Sequence, residues 1–95
     1  MAGFEWDEDK NAQNRAKHGI SFEEAATIFE GPVLTKFDET HYSEVREVSF
    51  GLLGGIIVAC VVHTERDGRI RIISARKATP RERKLCDAYI KKAFN

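Results

Sequence analysis

The chain has 95 residues, which is enough for one domain and leaves no room for a second hydrophobic core. Its composition, 42% hydrophobic and 32% charged, is typical of a globular protein and excludes a disordered chain. No apolar run approaches ~20 residues and the acidic N-terminus lacks the apolar core of a secretory signal, so the sequence predicts a cytoplasmic protein without a membrane span. The two isolated cysteines, Cys60 and Cys86, are predicted to be reduced thiols.

Two helices are predicted near the N-terminus, after a short strand that begins at Phe4. The first is predicted over residues 7–18, because acidic residues at its start and basic residues at its end suit the helix dipole. The second begins at Ser21, since Ser21 and Glu24 have the spacing of a capping box, and it ends before Gly31-Pro32. Its apolar residues are spaced as on one face of a helix.

Four strands are predicted next, separated by turn-forming residues. Their predicted ranges are residues 33–37, 45–53, 56–63 and 70–75, with a polar loop at 38–44. Gly54-Gly55 and Asp67-Gly68 mark two hairpin turns. The strand at 70–75 should therefore pair antiparallel with the strand at 56–63.

A third helix is predicted to start at Thr79-Pro80 and to run to about residue 92, with Glu82 completing a capping box. Its predicted buried stripe comprises Leu85, Cys86, Tyr89, Ile90, Ala93 and Phe94. The order strand, helix, helix, four strands, helix predicts a small α+β domain spanning residues 1–95, in which an antiparallel sheet packs against helices.

The charged residues are distributed unevenly, although the formal net charge is zero. Residues 1–47 hold eleven acidic and five Lys or Arg side chains, a net charge of −6. Residues 66–84 hold eight Lys or Arg and two acidic side chains, a net charge of +6. This asymmetry indicates a basic face on an acidic body. An ordinary solvated face, whose cations pair with the acidic half, is the alternative that stays open.

The segment IRIISARKATPRERK, residues 70–84, concentrates cations where a strand meets a helix. Regular alternation along the strand puts Ile70, Ile72 and Arg76 on one face, so Arg76 is predicted to reach from the strand end into a cleft. Arg83, in the first turns of the helix, can face the same cleft. Arginine forks and the N–H groups of a helix N-terminus both suit a phosphate, so this junction is interpreted as a phosphate-binding site.

The three histidines, His18, His41 and His63, share no metal-ligand spacing, and the sequence predicts neither a metal site nor a cofactor. His18 lies next to Lys17 and can exchange protons near neutral pH, or it can simply be a residue that the dipole favours at a helix C-terminus. Both interpretations stay open. His63 lies in an apolar strand and is predicted to be a buried, satisfied residue of the sheet.

Three blocks of the sequence, FEWDEDKNAQNRAKHGISFEEAATIF, REVSFG and IRIISARKATPRER, closely resemble the BrnT family of toxins from bacterial type II toxin–antitoxin systems. The blocks occur in order between about residue 4 and residue 87. The resemblance implies a fold similar to the RelE-type ribonuclease toxins and cleavage of RNA without a metal. It also implies a hetero-oligomer with a small antitoxin, BrnA, whose DNA-binding part makes any contact with DNA indirect. Cys86 stands where family members usually have a tyrosine.

The resemblance and the basic segment together give the candidate site residues. The catalytic candidates are Lys17, His18, Arg76, Glu82 and Arg83, and the RNA-binding candidates are Arg46, Arg71, Lys77 and Arg81. The expected chemistry is attack of a ribose 2′-OH on the neighbouring phosphate, with arginines on the phosphate and a lysine or histidine transferring the proton. Two alternatives remain: an RNA-binding module without catalysis, and a protein-binding module whose basic face docks an acidic segment.

Overall fold

The computed structural model describes residues 3–38 and 46–94. These residues form three α-helices and five strands. They are β1 (Phe4–Glu5), α1 (Glu8–His18), α2 (Phe22–Ala26), a 3₁₀ turn (Thr27–Glu30), β2 (Leu34–Asp38), β3 (Arg46–Leu53), β4 (Ile57–Arg66), β5 (Arg69–Lys77) and α3 (Pro80–Phe94). The loop predicted at residues 38–44, with His41, lies outside the described residues apart from its first position. No helix within the described ranges is long and apolar enough to cross a membrane.

The five strands form one sheet in the order β1-β5-β4-β3-β2. The consecutive strands β2 to β5 pair antiparallel, as predicted. The prediction of a purely antiparallel sheet is wrong at one edge, because β1 pairs in parallel with the start of β5. These two strands are far apart in the chain, and their relative direction depends on how the helices return the chain to the sheet, which no local pattern records.

The capping box predicted at Ser21 and the hairpin turn predicted at Asp67-Gly68 are confirmed at atomic detail. The Asp7 side chain accepts hydrogen bonds from the first backbone N–H groups of α1, and Gly19 ends that helix with a φ of 74°. Ser21 and Glu24 form both bonds of the capping box. Asp67 and Gly68 have φ values of 54° and 77°, as a two-residue hairpin turn of type I′ requires. Each of these features depends on residues within four positions of one another.

A single extra residue in β5 changes which face of the sheet carries Arg76. Ser74 pairs with Val62 whereas Ile72 pairs with the next residue of β4, so Ile73 is left over as a β-bulge. Ile72 and Ala75, three positions apart, are consequently buried together under α1 and α2. The predicted placement of Ile72 and Arg76 on one face is therefore wrong. Arg76 lies opposite Cys60, on the face that α3 partly covers.

Helix α3 covers this second face less completely than the sequence predicts. Cys86 is fully buried and packs in a small core formed by Phe50, Val58 and Cys60. Leu85 and Tyr89, which belong to the predicted buried stripe, are 59% and 41% exposed. The buried stripe of α3 is therefore narrower than predicted, and part of that sheet face stays open as a cleft. The thiols Cys60 and Cys86 are both free, as predicted.

The polar helix α1 is fastened to the domain by buried asparagines instead of a broad apolar face. The Asn14 amide donates to the carbonyl oxygens of Ile20 and Ala75, at 2.9 and 2.8 Å, and its oxygen accepts from the Ala75 N–H at 3.1 Å. Asn14 thus continues the hydrogen bonding of the β5 edge beyond the point where the two-residue β1 ends. Asn11 similarly accepts from the Phe22 N–H at 2.8 Å.

We expect Asn14→Ala to lower the free energy of unfolding by roughly 3 kcal/mol, because each buried polar group left without a partner costs about 1–3 kcal/mol. Asn14→Asp keeps the shape but places carboxylate oxygens against two carbonyl oxygens, so it should destabilise at neutral pH and less at acidic pH. Chemical denaturation measures both. Gln13→Ala, an exposed neighbour on α1, is the control, and equal stability of the Asn14→Ala and Gln13→Ala proteins would contradict this role.

Candidate active site

The open part of the α3 face forms a cleft of about 440 Å³ beside the start of α3. Its floor consists of side chains from β3 and β4, including Phe50 and Cys60. Lys36 of β2 borders one side, and Arg76 with Glu82 borders the other. We call this the Arg76 cleft. Arg76 borders this cleft because the bulge in β5 turns it away from the larger core and onto the α3 face.

Arg76 and Glu82 form a two-pronged ion pair at the edge of this cleft. The two guanidinium nitrogens donate to the two carboxylate oxygens at 2.8 and 3.0 Å. The Thr79 N–H also donates to Glu82, at 2.8 Å, as part of the predicted capping box. The Arg76 hydrogen bonds lower the pKa of Glu82 to about 2, and Glu82 in turn raises the pKa of Arg76. Glu82 is therefore a carboxylate at neutral pH that holds the guanidinium in position and has no proton to donate.

The cysteine on the cleft floor is a packing residue. Cys60 is 1% exposed, and burial raises the pKa of its thiol to about 11 although Arg76 acts in the opposite direction. A thiolate is thus disfavoured at neutral pH, and nucleophilic attack by this residue is not supported. Cys86 is also fully buried and packs against the same small core.

The predicted proton-transfer residues border a second, smaller cleft of about 280 Å³, between α1 and β5. Lys17 is exposed and His18 is half-buried at the end of α1, and both line this cleft together with Ser74. Ser74 is the register partner of Val62, which lines the Arg76 cleft. The linings of the two clefts are therefore one inter-strand step apart at this pair.

The prediction that Arg83 and Arg76 face the same cleft is wrong. Arg83 lines a separate cleft with Lys77 and the exposed hairpin residues Ile56 and Ile57. Successive residues of an α-helix point about 100° apart, since 3.6 residues make a turn. Because Glu82 points at Arg76, Arg83 is directed elsewhere.

The remaining RNA-binding candidates lie at different places on the surface. Arg71 is held by Glu5 of β1 in an ion pair of 2.9 Å, so it joins the parallel strand to the sheet. Arg81 is exposed in the first turn of α3. Arg46 opens β3, opposite Asp38 of β2. The cations of the basic segment therefore lie at several places on the surface and do not form one compact patch.

His63 has the structural role that its strand context predicts. It is 5% exposed, its Nε2 lies 2.7 Å from the Ser49 hydroxyl, and Ser49 lies 2.8 Å from the Thr35 hydroxyl. Burial lowers the pKa of His63, while Glu47 opposes this effect. His63 lies in the sheet face opposite to the Arg76 cleft, in edge contact with Phe29.

Sequence reasoning missed Lys36, which lies in the acidic half of the chain and outside every motif. Its ammonium lies 5.8 Å from the centre of the Phe50 ring, over the floor of the Arg76 cleft. Only the pairing of β2 with β3 brings it there. Among residues 3–38 and 46–94, no three His, Cys, Asp or Glu side chains are grouped so that they could hold a metal ion.

Two comparisons with known proteins give matches that agree with each other. Residues 6–82 match the sequence model of a family described as the ribonuclease toxin BrnT of type II toxin–antitoxin systems. A crystal structure of the ribonuclease toxin BrnT from Brucella abortus is similar to this chain with a TM-score of 0.65 and 27% sequence identity. The similarity covers 83% of this chain and 99% of the Brucella chain. A comparison with curated protein sequences gave no match.

Proposed function

The chain belongs to the BrnT family of ribonuclease toxins of type II toxin–antitoxin systems, and on this premise we propose that it is an endoribonuclease that cleaves RNA without a metal ion. The observation that carries the proposal is that two clefts have linings one inter-strand step apart, one cleft with Arg76 fixed by Glu82 and the other with Lys17 and His18. Together they offer a cation for a phosphate and a group for proton transfer. We also propose that the fold is similar to that of the RelE-type ribonuclease toxins.

The proposed reaction is an internal transesterification. A base removes the proton from a ribose 2′-OH, the 2′-oxygen bonds to the neighbouring phosphorus, and the bond to the 5′-oxygen breaks as that oxygen takes up a proton. The products are a 2′,3′-cyclic phosphate and a 5′-hydroxyl. Arg76 stabilises the negative charge that develops on the phosphate oxygens, and His18 or Lys17 moves the proton. Glu82 acts as a positioning residue, because its carboxylate fixes the guanidinium.

The other cations extend the proposed RNA path beyond the reacting phosphate. Arg83 and Lys77 border the cleft on the far side of α3's first turn, and Arg81 is exposed beside them. Arg46 and Arg71 retain weaker proposed roles, because Arg46 lies opposite Asp38 and Arg71 is paired with Glu5. Contacts of this kind add affinity that falls with salt and carry little sequence information.

We propose a small BrnA-like antitoxin as the protein partner, in a hetero-oligomer that covers the segment 70–84 in the resting state. Because an active ribonuclease in the cytoplasm would attack cellular RNA, its cleft must be closed until the antitoxin is removed. Contact with DNA would then occur only through the antitoxin. The exposed apolar residues beside the basic segment, Ile56, Ile57 and Leu85, are available for such a contact.

The decisive experiment follows RNA in the presence of EDTA. We expect the purified chain to cut RNA in EDTA, to leave 2′,3′-cyclic phosphate ends, and to spare a substrate with 2′-deoxyribose at the cleaved position. The matched reaction with Mg²⁺ is the comparison. Cleavage that EDTA abolishes and Mg²⁺ restores would overturn the metal-free mechanism. Binding of RNA without any cleavage would instead favour the non-catalytic module.

A further inference from the structure

The ion pair at the edge of the Arg76 cleft leaves little net charge for an incoming anion. Both guanidinium nitrogens that face Glu82 are used, and the carboxylate stays ionised at neutral pH. A phosphate that approaches Arg76 therefore meets a cation and an anion at nearly the same place. Productive binding of a polyanion here requires another positive charge in the cleft.

Lys36 supplies that charge from the opposite side. It lies across from Val48 in the β2–β3 register, and its ammonium stands 5.8 Å from the Phe50 ring centre. Phe50 pairs with Cys60, and Cys60 pairs with Arg76, so these three residues form one row across the sheet. The Lys36 ammonium lies at the Phe50 end of this row. Two inter-strand steps of ~4.8 Å separate the Phe50 and Arg76 positions, which is about 10 Å along the floor.

The electrostatics of the cleft floor show that both cations act on the same space. Burial raises the pKa of the Cys60 thiol, which lies between the two cations; Arg76 and Lys36 both oppose this rise, whereas Glu82 adds to it. Lys36 is exposed and its ammonium carries three donors, so donors remain for a second partner beside the Phe50 ring. A lysine on an apolar ring is also less mobile than a free one, which reduces the entropy cost when it binds.

We propose that Lys36 is a second phosphate-binding residue of the Arg76 cleft, contacting an RNA phosphate beside the one that Arg76 contacts. This inference rests on the proposed ribonuclease function. The ligand is the sugar-phosphate backbone of single-stranded RNA, which crosses the sheet from β5 toward β2 over the Phe50 and Cys60 positions. In this arrangement Lys36 holds the strand and Arg76 serves the reacting phosphate.

The test measures binding as a function of salt, because removing one cation from the phosphates of a single strand reduces the slope of log K against log [salt] by about 0.7. The ligand is an RNA oligonucleotide with 2′-O-methyl groups, which cannot undergo the transesterification. We expect Lys36→Ala to weaken binding roughly tenfold, as for the removal of one charged hydrogen bond, and to reduce the slope by about 0.7. Lys36→Arg should restore both quantities, because it keeps the charge and the donors.

Lys91→Ala, which removes an exposed lysine near the end of α3, is the matched control and should leave the slope closer to that of the wild type. Thermal melting of each variant excludes unfolding as the cause. A wild-type slope and a wild-type RNA affinity in the Lys36→Ala protein would overturn the inference. If the wild-type protein neither binds nor cuts RNA, the proposed function itself fails. Cleavage that needs Arg76 but not Lys36 refutes this inference alone.

Discussion

Replacing Arg76 with alanine is expected to lower the rate of RNA cleavage by roughly 10²–10³-fold, the usual effect of removing one preorganised donor from a developing negative charge. The reason is local to this cleft. Two bonds to Glu82 orient the guanidinium before any substrate arrives, so stabilising the phosphate requires little rearrangement. Single-turnover cleavage of a short RNA measures the effect on the chemical step.

Arg76→Lys separates charge from geometry in the same assay. Lysine keeps the positive charge but lacks the planar fork that meets both carboxylate oxygens, so we expect a rate between those of Arg76→Ala and the wild type. Arg66→Ala, at the exposed end of β4, is the matched control for the removal of one arginine. Arg83→Ala should weaken RNA binding more than it slows cleavage, because Arg83 borders a different cleft. An Arg76→Ala protein that cuts RNA as fast as Arg66→Ala would exclude Arg76 from the chemistry.

His18→Gln is expected to slow cleavage by roughly 10²–10⁴-fold if His18 is the proton-transfer group, the range typical of removing a general acid or base. His18 is half-buried at the end of α1 and lines a cleft together with Ser74. Ser74 is the register partner of Val62, which lines the Arg76 cleft. A histidine that transfers the proton makes the rate depend on pH, and the glutamine variant should lack that limb of the profile. The measurement is the pH dependence of single-turnover cleavage.

Gln13→Ala, which alters the same cleft without removing a titratable group, is the control for His18. Melting curves are needed as well, because a histidine at a helix C-terminus contributes about 0.3–1 kcal/mol through the dipole. An unchanged rate and pH profile would leave His18 with this structural role alone. Lys17, which lines the same cleft, would then be the remaining candidate for proton transfer.

Features that depend on close neighbours could be predicted from the order of the amino acids. Ser21 with Glu24 and Thr79 with Glu82 cap helices, and Asp67-Gly68 turns a hairpin, at the predicted positions. Such contacts join residues two to four positions apart, so the spacing of residue types is sufficient to identify them. The resemblance of three sequence blocks to the BrnT family likewise needed no coordinates, and the family comparison confirms it.

Which residues share a surface, in contrast, depends on strand pairing in three dimensions. The bulge at Ile73 reverses the alternation of β5, which places Arg76 on the α3 face and gives Glu82 its partner. The pairing of β2 with β3 brings Lys36 to the same cleft, and Asn14 is buried because it meets the edge of β5. These contacts link residues that are far apart in the chain. In addition, one extra residue in a strand turns every later side chain of that strand to the opposite face. The periodicity of the sequence does not indicate such a shift, because the register is specified only by pairing with the partner strand.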